Sequence, residues 1–186
     1  MRIVDLYAGL RGWSQPWADA GHETFCVEIE PRFTADHRDV FDLDIAKLKA
    51  WGPDVVLASP PCTAFSVMRI GRNWNFDHTP KNDTARHGLK LLERTLEIIK
   101  ALEPRFFIIE NPMGKMRKMP QLEHLERRHV TYCQYGENRM KPTDLWGGFP
   151  PSLQLAPPAS RERLAMRRHL AEAGQERRAS SPPTEP

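Results

Sequence analysis

At 186 residues and 40% hydrophobic content, the chain can bury one respectable core but is short for an enzyme carrying a second, substrate-reading domain. Its net charge of +3 is compatible with a polyanionic partner without requiring one, and its three separated cysteines, Cys26, Cys62 and Cys133, lack the paired spacing of a zinc site or a disulfide framework. The N-terminal MRIVDLYAGL has no apolar signal-peptide core, and no run approaches the about 18 apolar residues of a membrane span, so a soluble cytoplasmic protein is expected.

Short apolar runs recur at 3–6, 25–29, 55–58 and 106–109, without the polar alternation of half-exposed strands. Between the last two, Leu89, Leu92, Leu96 and Ile99 follow the rhythm of an amphipathic helix. Strand, helix, strand is the repeating unit of an open, doubly wound α/β sheet, whose ligands sit beyond the carboxyl ends of the strands. Residues 1–150 are expected to form this domain. Beyond Trp146, prolines punctuate a segment with little apolar periodicity, so 151–186 reads as a tail, with an isolated polar helix over 161–176 and disorder over 179–186. Six arginines and four glutamates follow residue 156, giving +2 of the net +3. A solvated tail or a weak contact with a nucleic-acid backbone would use them.

The first strand ends in Asp5-Leu6-Tyr7-Ala8-Gly9-Leu10-Arg11-Gly12, where glycines let the backbone pass close to a nucleotide-like ligand. The second ends in Val27-Glu28-Ile29-Glu30, which offers Glu28 to ribose hydroxyls. Asp44, in Asp42-Leu43-Asp44-Ile45, could receive an adenine amino group or cap a helix. The run 55–58 leads into Ser59-Pro60-Pro61-Cys62-Thr63-Ala64-Phe65-Ser66, in which two prolines stiffen the turn that presents Cys62. That position favours a reactive thiol over core filling. The run 106–109 leads into Glu110-Asn111-Pro112, bringing a carboxylate to the same edge as Cys62. If it is partly buried, its pKa should rise into the range of a proton donor.

Together, DLYAGLRGW, VEIE, LDI, SPPCTAFS, IIENP and QYGENR resemble, in order, the motifs of the DNA (cytosine-5)-methyltransferase family. The resemblance implies a Rossmann-like, S-adenosylmethionine-dependent fold, with Asp5, Tyr7, Gly9, Leu10, Glu28, Ile29, Asp44, Ile45 and Pro61 at the cofactor. It also implies Cys62 as nucleophile and Glu110 as its acid partner. Double-stranded DNA is the implied substrate, with Ser59 and Ser66 near the nucleophile and Arg69, Arg72 and Lys81 on a loop that could close over it. Arg11 stands where the family commonly has glycine, which would crowd the cofactor turn, and Thr63 replaces the usual glutamine. The family's Arg-x-Arg pair becomes Lys141 and Thr143, leaving Lys141, with Arg139 as a substitute, for DNA. A full target-recognition domain does not fit after Trp146, so the chain resembles compact or truncated phage and prophage members, and a protein partner could supply sequence recognition. The alternatives are a non-catalytic cofactor- or DNA-binding remnant, and RNA methylation by the same chemistry.

Overall fold

Each buried apolar run becomes a strand. In a computed structural model describing residues 1–156, β1 (Arg2–Leu6), β2 (Glu23–Val27), β3 (Val55–Ala58) and β4 (Phe106–Pro112) form a parallel set. With β5 (Glu126–Thr131) and β6 (Pro142–Gly148) they make a six-stranded sheet in the order β2-β1-β3-β4-β6-β5. The chain steps from β1 outward to β2, then returns to place β3 on the other side of β1. The crevice at such a reversal, at the carboxyl ends of β1 and β3, is where open α/β sheets hold their ligands.

Two strand ends differ from the apolar runs, and both differences concern the candidate site. β2 stops at Val27, leaving Glu28 and Ile29 just past the sheet. β4 runs on through Glu110 and Asn111 because β6 pairs with it antiparallel, setting Glu110 opposite Leu145 and Asn111 opposite Asp144.

Helices cover both faces. Val4, Leu6, Val56, Ala58, Ile109 and Trp146 belong to a large core shared with α2 (Ile45–Trp51) and, after the one-turn α3 (Ile70–Asn73), the long α4 (Asp83–Leu102). Ile3, Val55 and Leu57 pack on the other side against Trp13 and Trp17, the latter in α1 (Gln15–Asp19). Full burial of each such aliphatic side chain contributes about 1.5–3 kcal/mol.

The amphipathic stripe of α4 is centred differently from the expected one: Ala85, Gly88, Leu91, Leu92, Thr95, Ile98, Ile99 and Leu102 are buried, while Leu89 and Leu96 are half-buried at its edge. The small residues Ala85, Gly88 and Thr95 belong to the buried stripe, which a search for large apolar side chains passes over. Asn82 caps the helix, its side chain accepting from the Ala85 amide at 3.0 Å.

Among the described residues two compact units are distinguished: Met1–His129 with Thr143–Leu153, and Val130–Pro142 with Gln154–Ala156. The expected helix over 161–176 and the disorder over 179–186 lie outside the described residues. Among the described residues, no helix is long and apolar enough to cross a membrane.

Candidate active site

Register fixes what the sheet edge presents. Leu6 pairs with Ala58, and Ala58 with Ile109, so Tyr7, Ser59 and Glu110 follow at the same level on three adjacent strands, with Glu28 beyond β2. Cys62 is exposed and opens the single 3-10 turn Cys62–Ala64, its carbonyl accepting from the amides of Phe65 and Ser66 at 3.0 and 2.9 Å. Glu110 is buried, with 9% of its surface exposed. A hydrogen bond joins the two segments: the buried Asn111 side-chain amide donates to the Pro60 carbonyl at 2.8 Å.

The turn carrying Cys62 is braced from behind. Asn73 is buried and donates to the Ala64 carbonyl at 3.0 Å, and the Trp74 indole donates to the same oxygen at 2.8 Å. Asn82 donates in turn to the Asn73 side-chain oxygen at 3.1 Å, tying the brace to the cap of α4. Gly88 lets that helix approach, because a Cβ there would lie 2.2 Å from Ala64 Cβ. None of Asn73, Trp74 and Gly88 is legible from the sequence as a site residue; a buried tryptophan within the polar RNWN stretch is the one available hint.

At the first two strand ends, Glu28 accepts from the Gly9 amide at 2.8 Å through Oε2 and from the Glu30 amide at 2.9 Å through Oε1. Gly9 sits at φ +51° with open space where a Cβ would stand. Leu10 and Ile29 are exposed by 86% and 61%, large apolar side chains left facing solvent around an oriented carboxylate. That combination fits a ligand with a ribose and an apolar ring system. Ile45 is half-buried at the start of α2, and Pro61 is exposed beside Cys62.

Four residues expected at the site have partners within the protein or buried polar atoms. Asp5 is fully buried, and burial pushes its carboxyl up to about 6, opposed by Ser14 and Arg11. The Tyr7 hydroxyl is turned onto α4, 3.2 Å from the Leu91 carbonyl and 2.9 Å from Thr95 Oγ1, and burial raises its pKa to about 12. Asp44 caps α2, accepting from the Lys47 amide at 2.9 Å, so of its two readings the structure displays the cap. Ser59 directs its hydroxyl inward, where it is buried, so it does not face a phosphate.

Arg69 and Arg72 are exposed on the loop after Cys62, while Ser66 is half-buried and bridges to Gly114. Lys81, also exposed, donates to the Gly71 carbonyl at 2.9 Å, which clamps the loop. Arg139 and Lys141 are exposed in the second unit, where the Lys141 ammonium lies 4.6 Å from the centre of the Tyr132 ring.

The pattern of the C-5 cytosine-specific DNA methylase family matches residues 1–126. The chain belongs to that family. It is 39% identical over 153 residues to the "Probable DNA (cytosine-5)-methyltransferase" of Frog virus 3 (isolate Goorha), covering 78% of this chain and 70% of the viral one. To the type II methyltransferase M1.HphI of Haemophilus parahaemolyticus it is 30% identical over 128 residues, covering 60% of this chain and only 32% of that enzyme. The same fold recurs in the methyltransferase EhMeth of Entamoeba histolytica, with a TM-score of 0.57, 10% identity, and 86% and 57% of the two chains covered. The SAM-dependent methyltransferase of Agrobacterium tumefaciens gives a TM-score of 0.50 at 13% identity, covering 81% and 56%. The sheet is therefore the Rossmann-like methyltransferase fold, and this member spans about half the length of those solved relatives.

Arg11 stands in the turn after β1, where the family commonly has glycine. It adopts φ +60°, a backbone region natural to glycine, and its guanidinium turns back to Thr24 Oγ1 at 2.9 Å.

Proposed function

We propose that the chain transfers a methyl group from S-adenosylmethionine to the 5-carbon of cytosine in double-stranded DNA through a covalent bond to Cys62. The carrying observation is the Asn111 bond to Pro60, which holds an exposed thiol and a buried carboxylate at one sheet edge. Gly9, Leu10, Glu28, Ile29, Ile45 and Pro61 would hold the cofactor, which supplies an electrophilic methyl group when bound.

Cytosine's 5-carbon is a poor nucleophile. The Cys62 thiolate adds to the neighbouring 6-carbon while Glu110 holds a proton at the ring nitrogen, and the base becomes an enamine whose 5-carbon is nucleophilic. After methylation, loss of the proton on the 5-carbon and elimination of Cys62 restore the aromatic ring. The base must leave the duplex, since a stacked ring does not offer its 6-carbon to a thiol.

Ser66, Arg69, Arg72, Arg139 and Lys141 are the proposed DNA contacts. Phosphate contacts give affinity and position without sequence information, so a reader beyond residues 1–150, or a protein partner, would supply specificity. The exposure of Cys62 favours catalysis over a non-catalytic remnant, in which nothing would keep a thiol presented. Bisulfite sequencing of DNA from cells expressing the chain tests the reading: protected cytosines absent from a Cys62→Ser control are expected, and identical profiles would overturn it.

A further inference from the structure

Lys115 is 5% exposed, a degree of burial that lysine rarely tolerates without partners. It lies in the 3-10 turn Lys115–Lys118 that follows β4, five residues after Glu110. Three of its contacts reach the segments that frame Cys62. The backbone amide donates to the Phe65 carbonyl at 2.8 Å. The ammonium lies 2.6 Å from His78 Nδ1, which can accept when the ring is neutral, and 5.9 Å from the centre of the Trp74 ring. Trp74 stacks on Phe65 with ring centres 5.4 Å apart and donates to the Ala64 carbonyl.

We propose that Lys115 is a positioning residue, gripping Trp74 and His78 so that the 74–80 hairpin and the Cys62 turn stay registered against the strand that carries Glu110. This inference rests on reading Cys62 and Glu110 as the reacting pair. The hairpin is closed by bonds from the Asn75 amide to the Thr79 carbonyl and from Thr79 to Asp77, it reaches the Cys62 turn through the Trp74 indole on the Ala64 carbonyl, and Lys115, just after β4, touches both Trp74 and His78. Lys115 therefore connects two segments that chemistry needs at a fixed spacing, while a one-ångström error in such spacing lowers rates severely. Burial pushes the ammonium's pKa down, and the Asp77 carboxylate opposes that shift.

The test compares full-length wild type, Lys115→Met, Lys115→Arg and His78→Asn. Methionine keeps the apolar stem without the ammonium, and asparagine tolerates the φ of +71° at position 78. Two measurements are made: the rate of covalent trapping on 5-fluorocytosine DNA with S-adenosylmethionine, and hydrogen–deuterium exchange at residues 62–66 and 74–80. Lys115→Met is expected to trap at least tenfold more slowly with cofactor affinity unchanged within twofold, and to exchange faster in both segments. Lys115→Arg should recover part of the rate, and His78→Asn should shift both readouts the same way. Wild-type trapping and exchange in Lys115→Met would overturn the proposal, as would loss of rate with no change in exchange. If Lys115→Met fails to fold, His78→Asn decides by the same criteria. If wild type itself never traps, the catalytic reading fails, and unchanged exchange in the variants would sink the positioning claim separately.

Discussion

The Asn111 side chain donates to the Pro60 carbonyl at 2.8 Å, and this is the bond through which β4 holds the Pro-Pro turn in front of Cys62. Both groups are buried, so removing the donor leaves a carbonyl without its partner or with water forced in. Asn111→Ala is expected to cost about 1–3 kcal/mol in chemical unfolding. It should slow adduct formation on 5-fluorocytosine DNA by more than its loss of folded protein explains. An unaltered trapping rate in the folded variant would show that the bond does not set the geometry.

Glu28 has two jobs in the structure, bracing the Gly9 and Glu30 amides and presenting a carboxylate at the end of β2. Glu28→Ala should weaken S-adenosylmethionine binding by about 1–3 kcal/mol, the range for losing a charge-assisted hydrogen bond. It should also lower the melting temperature, because two backbone amides lose their acceptor. Equal calorimetric affinities for wild type and variant would remove Glu28 from the cofactor site.

Gly88 brings α4 against the nucleophile turn. A methyl group there would stand 2.2 Å from Ala64 Cβ, a rigid neighbour with nowhere to retreat except along the turn that carries Cys62. Gly88→Ala should therefore destabilise by about 1–3 kcal/mol despite alanine's better helix propensity. Urea unfolding of the variant measures it, and a net stabilisation would mean the helix and turn are free to move apart.

Asp5 gives the chain a defined pH response. Its carboxyl is pushed up to about 6 from an ordinary 3.8 by burial, so between these values the folded chain holds a proton that the unfolded chain has released. Stability contributed by this group is thus greatest at low pH, falls as pH rises through that window, and is lost in full above about 6, a loss on the order of 3 kcal/mol. Asp5→Asn should be the more stable protein at pH 8, with the difference shrinking toward pH 4 in thermal melts. A difference that stays constant across that range would show that Asp5 does not titrate as its burial implies.

The first four strands were legible because continuous apolar runs such as VVLA have few other fates. The charged ERRHVT of β5 and the Pro- and Gly-bearing PTDLWGG of β6 carry no such signal, and they become strands through pairing at the far side of β4. That pairing also explains why Glu110 lies within a strand. At the candidate site, the order SPPC then ENP pointed to Cys62 and Glu110, since both sit where chain direction and chemistry coincide. That the polar atoms of Asp5 and Ser59 are buried was not legible, because sequence places a residue at a strand end while the alternation of side chains decides which way it faces. The long-range brace through Asn73, Trp74 and Lys115 leaves no local pattern at all, because each contact spans a separate loop.

Covalent trapping at Cys62 tests the central claim most directly. Purified protein is incubated with S-adenosylmethionine and a duplex containing 5-fluorocytosine, whose fluorine blocks the proton loss that would release the enzyme, and the mixture is resolved under denaturing conditions. A stable protein–DNA adduct that requires cofactor, maps to Cys62 and disappears in Cys62→Ser is the expected result. An adduct that persists in the serine variant, or no adduct from folded, cofactor-bound wild type, would contradict the assignment of Cys62 as the nucleophile.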